Sequence, residues 1–227
     1  VTDLLAIETA TEACSVALLL GDRLYERHTL APRRHAAEIL PMIEALLAEA
    51  QTAVTGLDCL AFGRGPGSFT SIRIGVGVVQ GIAFAADLPV VPVSSLMTLA
   101  QGAFRETGML HVLAAFDARM AEVYWCAYEI DGTGLAEPLR AECVSAPAAV
   151  AVPSAQSWLG AGSGWKAHGE VLDRCLGGTI VRRLPDLYPR ARDLALLGAR
   201  GHRRGEAVSA EMAQPVYLRD RVVQAPS

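Results

Sequence analysis

Lysine is almost missing from this 227-residue chain: of its twenty basic residues, only Lys166 is lysine. A Walker-type phosphate loop needs a lysine directly behind its glycines, so that motif is excluded. Cysteine occurs five times, as Cys14, Cys59, Cys126, Cys143 and Cys175, but never in a C-x-x-C or other ligand spacing. Their scatter and odd number predict reduced core thiols in a cytoplasmic protein rather than a disulfide frame or zinc site. No H-E-x-x-H or H-x-x-x-H joins His28, His35, His111, His168 and His202, so no metal pair on a helix is expected. Ser68 and Ser163 stand among glycines, yet neither fits G-x-S-x-G, which leaves a hydrolase elbow unsupported.

Basic runs are missing too. Arg33-Arg34, Arg182-Arg183 and Arg203-Arg204 are isolated pairs in a chain of net charge −4, whereas a protein that holds nucleic acid unaided normally carries a basic face. Long apolar runs are also absent: no segment offers the ~18 uninterrupted apolar residues of a membrane span. Asp3 and Glu8 flank the first short apolar stretch without a basic neighbour, unlike a signal peptide. What is present is core-forming material. A hydrophobic content of 52% against 19% charged residues predicts an ordered globular chain, of a length suited to one large domain or two small ones.

Alternation predicts strands at Leu4–Glu8, at Ser15–Leu20 and from Arg23, with Gly21-Asp22 as a two-residue type II′ turn between the last two. From His35 the period becomes helical, with Ile39, Ile43, Leu46, Leu47 and Ala50 on one face, and Pro41 predicts a kink or a late start. A strand at Cys59–Phe62, a helix to about Ala86, a strand at Val90–Val93 and a helix opened by Ser94 or Ser95 complete the first part. The opening pattern then returns in HVLAAFDARMAEVYWCAYEIDGTG, again strand, polar loop, strand and glycine turn. A period of that length predicts a duplicated half-domain. Helices near Ala148–Val152, Trp165–Cys175 and Arg192–Arg200 are expected in the second part, with looser stretches at Trp158–Trp165 and Leu184–Pro189. The division is placed as 1–107 and 108–227, with the helix near 190–204 able to pack back on the first.

The stretch from Gly63 to Gly81, GRGPGSFTSIRIGVGVVQG, poses the main chemical question. Its glycines miss G-x-G-x-x-G, because Ser68 and Thr70 occupy the third positions. Gly63, Gly65, Pro66, Gly67, Ser68 and Thr70 are therefore read as a structural turn leading into a helix, although free N–H groups there would still suit an anion. Gly75, Gly77 and Gly81 lie within that helix, where each costs ~1 kcal/mol relative to alanine. Gly77 and Gly81 sit one turn apart on one face, so either the domain's own sheet or another helix approaches closely there.

Two similar halves that open with antiparallel strands match the actin-like ATPase and sugar-kinase architecture. In that architecture an acid and a glycine wrap phosphate at each first turn. The corresponding turns here are Glu8-Thr9-Ala10-Thr11 and Asp117-Ala118-Arg119, and neither contains glycine.

In order along nearly the whole chain, LLAIETATEACSVALL, RRHAAEILPMIEALL, GRGPGSFTSIRIGVGVVQG, PVVPVSSLMTLA, AAFDARMAEVYW and PVYLRD resemble the TsaB family, also called YeaZ, which acts in making threonylcarbamoyladenosine of tRNA. The resemblance implies an α/β, actin-like (ASKHA, ribonuclease H-like) duplicated fold of two subdomains, each opening with three antiparallel strands. It also implies a noncatalytic partner of the transferase TsaD, in a heterodimer that the ATPase TsaE joins, with tRNA reached only through the complex and homodimers possible. TsaD-like chains carry a metal-binding H-x-x-x-H where this one has Ser95 and Leu99. No catalytic, cofactor or metal residues are therefore expected, and Ile39, Ile43, Leu46, Gly75, Gly77 and Gly81 become the candidate partner surface. Two alternatives remain: an active actin-like ATPase or phosphotransferase, and a metallopeptidase of the glycoprotease type.

Overall fold

The computed structural model describes residues 2–152 and 156–219, and contains two sheets. The first half runs β1 (Leu4–Glu8), β2 (Ala13–Leu20), β3 (Arg23–Leu30), α1 (His35–Glu49), β4 (Cys59–Gly63), α2 (Phe69–Ala86), β5 (Val90–Val93) and α3 (Ser95–Thr107). The second runs β6 (His111–Asp117), β7 (Val123–Ile130), β8 (Ala136–Pro138), β9 (Cys143–Ser145), β10 (Trp158–Ala161), α4 (Ser163–Leu176), β11 (Ile180–Leu184) and α5 (Ala191–Arg203). The first sheet has the order β3-β2-β1-β4-β5, and the second β11-β10-β6-β7-β8 with β9 also on β7. Read from the other edge, the second is the first repeated. In each, three antiparallel strands lead into two that lie parallel to the first. This is the expected duplicated α/β fold.

Strand alternation divides the first core in two. Leu5, Ile7, Val16, Leu18, Leu60 and Phe62 face α1 and α2, and Leu4, Ala6, Ala17, Cys59 and Ala61 face α5. Ala6 stands opposite both Ala17 and Ala61 in the register, which makes a row of small side chains across three strands. Gly198 of α5 lies on that row, where a Cβ would come 2.5 Å from the Ala61 Cβ. The second sheet is covered by α4 on one face and by α3 on the other, with Leu96, Leu99, Ala100 and Ala103 packed among β6, β7 and β10. Each half thus lends its last helix to the other sheet.

The lent helices are pinned together. Arg105 of α3 donates to Asp193 of α5 from Nε at 2.8 Å and from Nη2 at 3.1 Å. At the start of α5 the Ala191 N–H, one of the helix's orphan donors, is accepted by the buried Ser15 hydroxyl at 2.9 Å.

Several local expectations are corrected. α1 runs unbroken from His35 through Pro41, with neither late start nor interruption, because its stripe from Ile39 to Leu46 is locked into the core. Trp158–Ala161, read as loose, is the buried strand β10, and its Gly160 is needed where the Trp165 ring would meet a Cβ at 2.3 Å. The helix expected near Ala148–Val152 is only a 3₁₀ turn at Pro147–Ala149, and β11 occupies a segment for which no strand was expected. At the β2–β3 turn Gly21 has φ +56° and Asp22 does not share the positive φ, as type II′ requires.

Candidate functional site

The end of β1 and the glycine stretch form one packed unit. Glu8 is fully buried; its carboxylate accepts from the Ala10 N–H at 2.7 Å and from the Ser95 hydroxyl at 2.9 Å. Burial pushes this carboxyl up to about 7, outweighing the opposing pull of those donors. Gly63 lies against the same carboxylate, where a Cβ would stand 2.2 Å from Oε2, and Gly67 lies against the Ala10 carbonyl at the same separation. The Ser68 N–H donates to Ala10 O at 2.7 Å and the Ser95 N–H to Gly65 O at 2.9 Å. The glycines therefore let a loop lie directly on the β1–β2 turn. Gly65 adds a left-handed φ of +95°. Ser68 is the N-cap residue of α2, but its hydroxyl pairs with that of Ser71 at 3.0 Å rather than with a helix amide. Thr70, read with the turn, is instead exposed in the first turn of α2.

The matching turn of the second half is open and strained. Asp117 ends β6 and accepts from both the backbone N–H and the guanidinium of Arg119 at 3.0 Å, with His168 Nε2 3.5 Å away. Arg119, Met120 and Ala121 all hold left-handed backbone, φ 61°, 54° and 57°, a conformation that costs non-glycine residues roughly 1–2 kcal/mol each. Between the halves, Glu142 accepts from Arg64 at 3.0 Å, from Tyr128 OH at 3.1 Å and from the Ser94 hydroxyl. Among the described residues no group of three or more His, Cys, Asp or Glu could hold a metal. Ser95 is bonded to Glu8, and Leu99 is buried in the second core.

The outward face of α2 has a different character. Ile72, Val76, Val79 and Ala83 face the core, while Gly77, Gly81, Phe84 and Ala85 face solvent, Phe84 with 81% of its surface exposed. A Cβ at Gly77 or Gly81 would meet nothing within 4 Å. By length and composition α2 could cross a membrane, although its inner stripe belongs to the core.

These positions sort the candidate partner residues. Gly77 and Gly81 lie on the open face. Ile39, Ile43 and Leu46 do not: their apolar period is that of a core stripe, and all three side chains are already buried under the first sheet. Gly75 is inward as well, where a Cβ would stand 2.3 Å from the Thr9 hydroxyl. Missed in the sequence was Phe84, seven residues beyond Gly77 and on the same face, a spacing that was available to be read.

Residues 27–226 match the family model described as TsaD, tRNA N6-adenosine threonylcarbamoyltransferase. The chain is similar to the tRNA threonylcarbamoyladenosine biosynthesis protein TsaB of Escherichia coli K12, 43% identical over 96% of this chain and 95% of that one. It is 37% identical to the TsaB of Haemophilus influenzae, over 96% of this chain and 94% of that one. Its fold matches YeaZ from Pseudomonas aeruginosa with a TM-score of 0.90 at 48% identity, covering 96% of this chain and all of that one.

Proposed function

The chain belongs to the TsaB (YeaZ) family, and from that premise we propose that it is a noncatalytic scaffold which docks a TsaD-type transferase during formation of threonylcarbamoyladenosine in tRNA. One observation carries this reading: the outer face of α2 presents side-chain-free Gly77 and Gly81 beside an exposed Phe84. In water that face is a standing cost; against a partner helix it permits close backbone approach and supplies an aromatic anchor. A second copy of the chain is the competing occupant when the partner is absent.

The absence of chemistry is supported by the mouth of the first half. Its loop amides at Ser68 and Ser95 are bonded to the chain's own carbonyls, and Glu8 is sealed away from any metal or phosphate. Neither the ATPase nor the metallopeptidase alternative finds a supporting constellation there. Reach to tRNA through the complex alone fits the pairing of the arginines, since Arg64, Arg105, Arg190, Arg200 and Arg219 are each tied to carboxylates. TsaE joins the assembled complex in the same reading, and the setting is cytoplasmic.

Gly77→Leu tests the docking face, because its side chain enters open space and the monomer remains folded. The variant is expected to lose co-elution with the TsaD-type partner at micromolar concentration and to lose tRNA modification. A folded variant that still co-elutes normally refutes the assignment.

A further inference from the structure

Two of the motifs quoted from the sequence, DARMAE and PVYLR, meet in space through contacts that the docking face does not explain. The segment Ala213–Arg219 leaves a 3₁₀ turn at Ala210–Met212 and crosses the first half to the second. Gln80 of α2 donates to Ala213 O at 2.8 Å, and the Val216 N–H donates to Arg64 O at 2.8 Å. Tyr217 OH accepts from Arg73 Nε at 2.8 Å, its ring lies 5.3 Å from that of Phe69, and the Arg73 guanidinium sits 3.8 Å above the Phe69 ring. Arg219 then reaches the β6–β7 turn, donating to Ala118 O at 3.1 Å and to the Glu122 carboxylate, with Met120 Sδ 3.5 Å from Nη1. Arg219 lies three positions beyond Val216, the anchor on Arg64, a reach of about 10 Å when extended.

The turn that Arg219 holds is the one with three consecutive left-handed residues, Arg119 to Ala121. Such strain persists only where surrounding contacts over-determine it. We propose that Ala213–Arg219 is a latch: Arg219 holds the β6–β7 turn in its left-handed form, and Tyr217 couples that turn to the first residues of α2. The latch belongs to the isolated chain and stands whether or not the docking reading holds. A segment that only covered apolar surface would not place a guanidinium on the carbonyl and carboxylate at the two ends of a strained turn.

Amide hydrogen exchange on the isolated chain tests it. Arg219→Ala should quicken exchange at Ala118 and Glu122 by about tenfold or more, because it removes the charge-assisted hydrogen bonds to both the Ala118 carbonyl and the Glu122 carboxylate. Glu122→Gln, which weakens the same contact from the other end, should act in the same direction with a smaller effect. Tyr217→Ala should quicken exchange at Ala118 and Glu122 as well as at the start of α2. In the Arg219→Ala background, Ala121→Gly should restore protection, because glycine holds a positive φ without strain. Unchanged exchange at Ala118 and Glu122 in both the Arg219 and Glu122 variants overturns the latch. Failure of Ala121→Gly to rescue overturns the role of strain, and an effect of Tyr217→Ala confined to α2 overturns the coupling.

Discussion

α2 and α4 occupy the same place in the two halves, each following a glycine loop after the strand parallel to the half's first. Their outward faces differ completely. α4 shows water Lys166, Glu170 and Arg174, the charged face of an ordinary surface helix. α2 shows Gly77, Gly81, Phe84 and Ala85. Since the place in the topology is shared, the outward residues are where the two helices can be compared directly. The first strand ends differ in the same sense, with Glu8 sealed and Asp117 partly exposed beside Arg119. The first half buries the acid at the end of its first strand and leaves Gly77, Gly81 and Phe84 uncovered on its helix.

Several experiments can break or sharpen that contrast. The largest effect is expected at the seam of the equivalent helices α3 and α5. Arg105→Ala leaves the buried Asp193 carboxylate without its bidentate partner and should cost about 3 kcal/mol in urea unfolding. A loss under 1 kcal/mol would mean that the halves are not held there.

Next is Glu8, the buried acid that ends the first strand of the first half. Glu8 has a folded value near 7 against an ordinary 4.5, so the folded chain keeps a proton that the unfolded chain releases between these values. Stability from this group is therefore fully present below pH 4.5 and declines as pH rises to about 7, by roughly 3 kcal/mol in total. Glu8→Gln should remove that slope and unfold later than the parent at pH 8. A Glu8→Gln variant that keeps the parent's slope would remove the buried acid from the contrast.

The third comparison concerns association alone. Phe84→Glu on α2 should weaken partner binding by about 2 kcal/mol, while Val171→Glu, at an exposed site of α4, should leave it unchanged. Titration calorimetry of both variants against the TsaD-type protein reads the difference; comparable losses would show that α2 is not special.

Much of this was legible in advance, for physical reasons that vary along the chain. β1 reads from Leu4 to Glu8 as a short continuous apolar run and α2 ends at Ala86 where its apolar helical period stops, both as expected. The glycine turn was legible as backbone geometry, but its cause was not: nothing in the sequence says that Glu8 and Ala10 lie where Cβ atoms at Gly63 and Gly67 would be. β10 was hidden for the same reason, since Gly160 looks like loop material until Trp165 is placed on it. The apolar period of α1 shows that one face is covered without showing by what, and Ile39, Ile43 and Leu46 were assigned to a partner when the chain's own sheet covers them. Glu142 gave no signal at all, because its partners Arg64, Ser94 and Tyr128 come from distant parts of the chain.

The exchange of last helices has a consequence for synthesis. Leu4 and Ala6 are synthesised long before the helix that covers them, which begins at Ala191. Until that helix arrives, the row of Ala6, Ala17 and Ala61 stays bare on one face of a sheet whose other face is already packed by α1 and α2. The nascent first half is thus a half-dressed sheet with an apolar surface shaped for a helix, and its completion waits on translation of nearly the whole described chain.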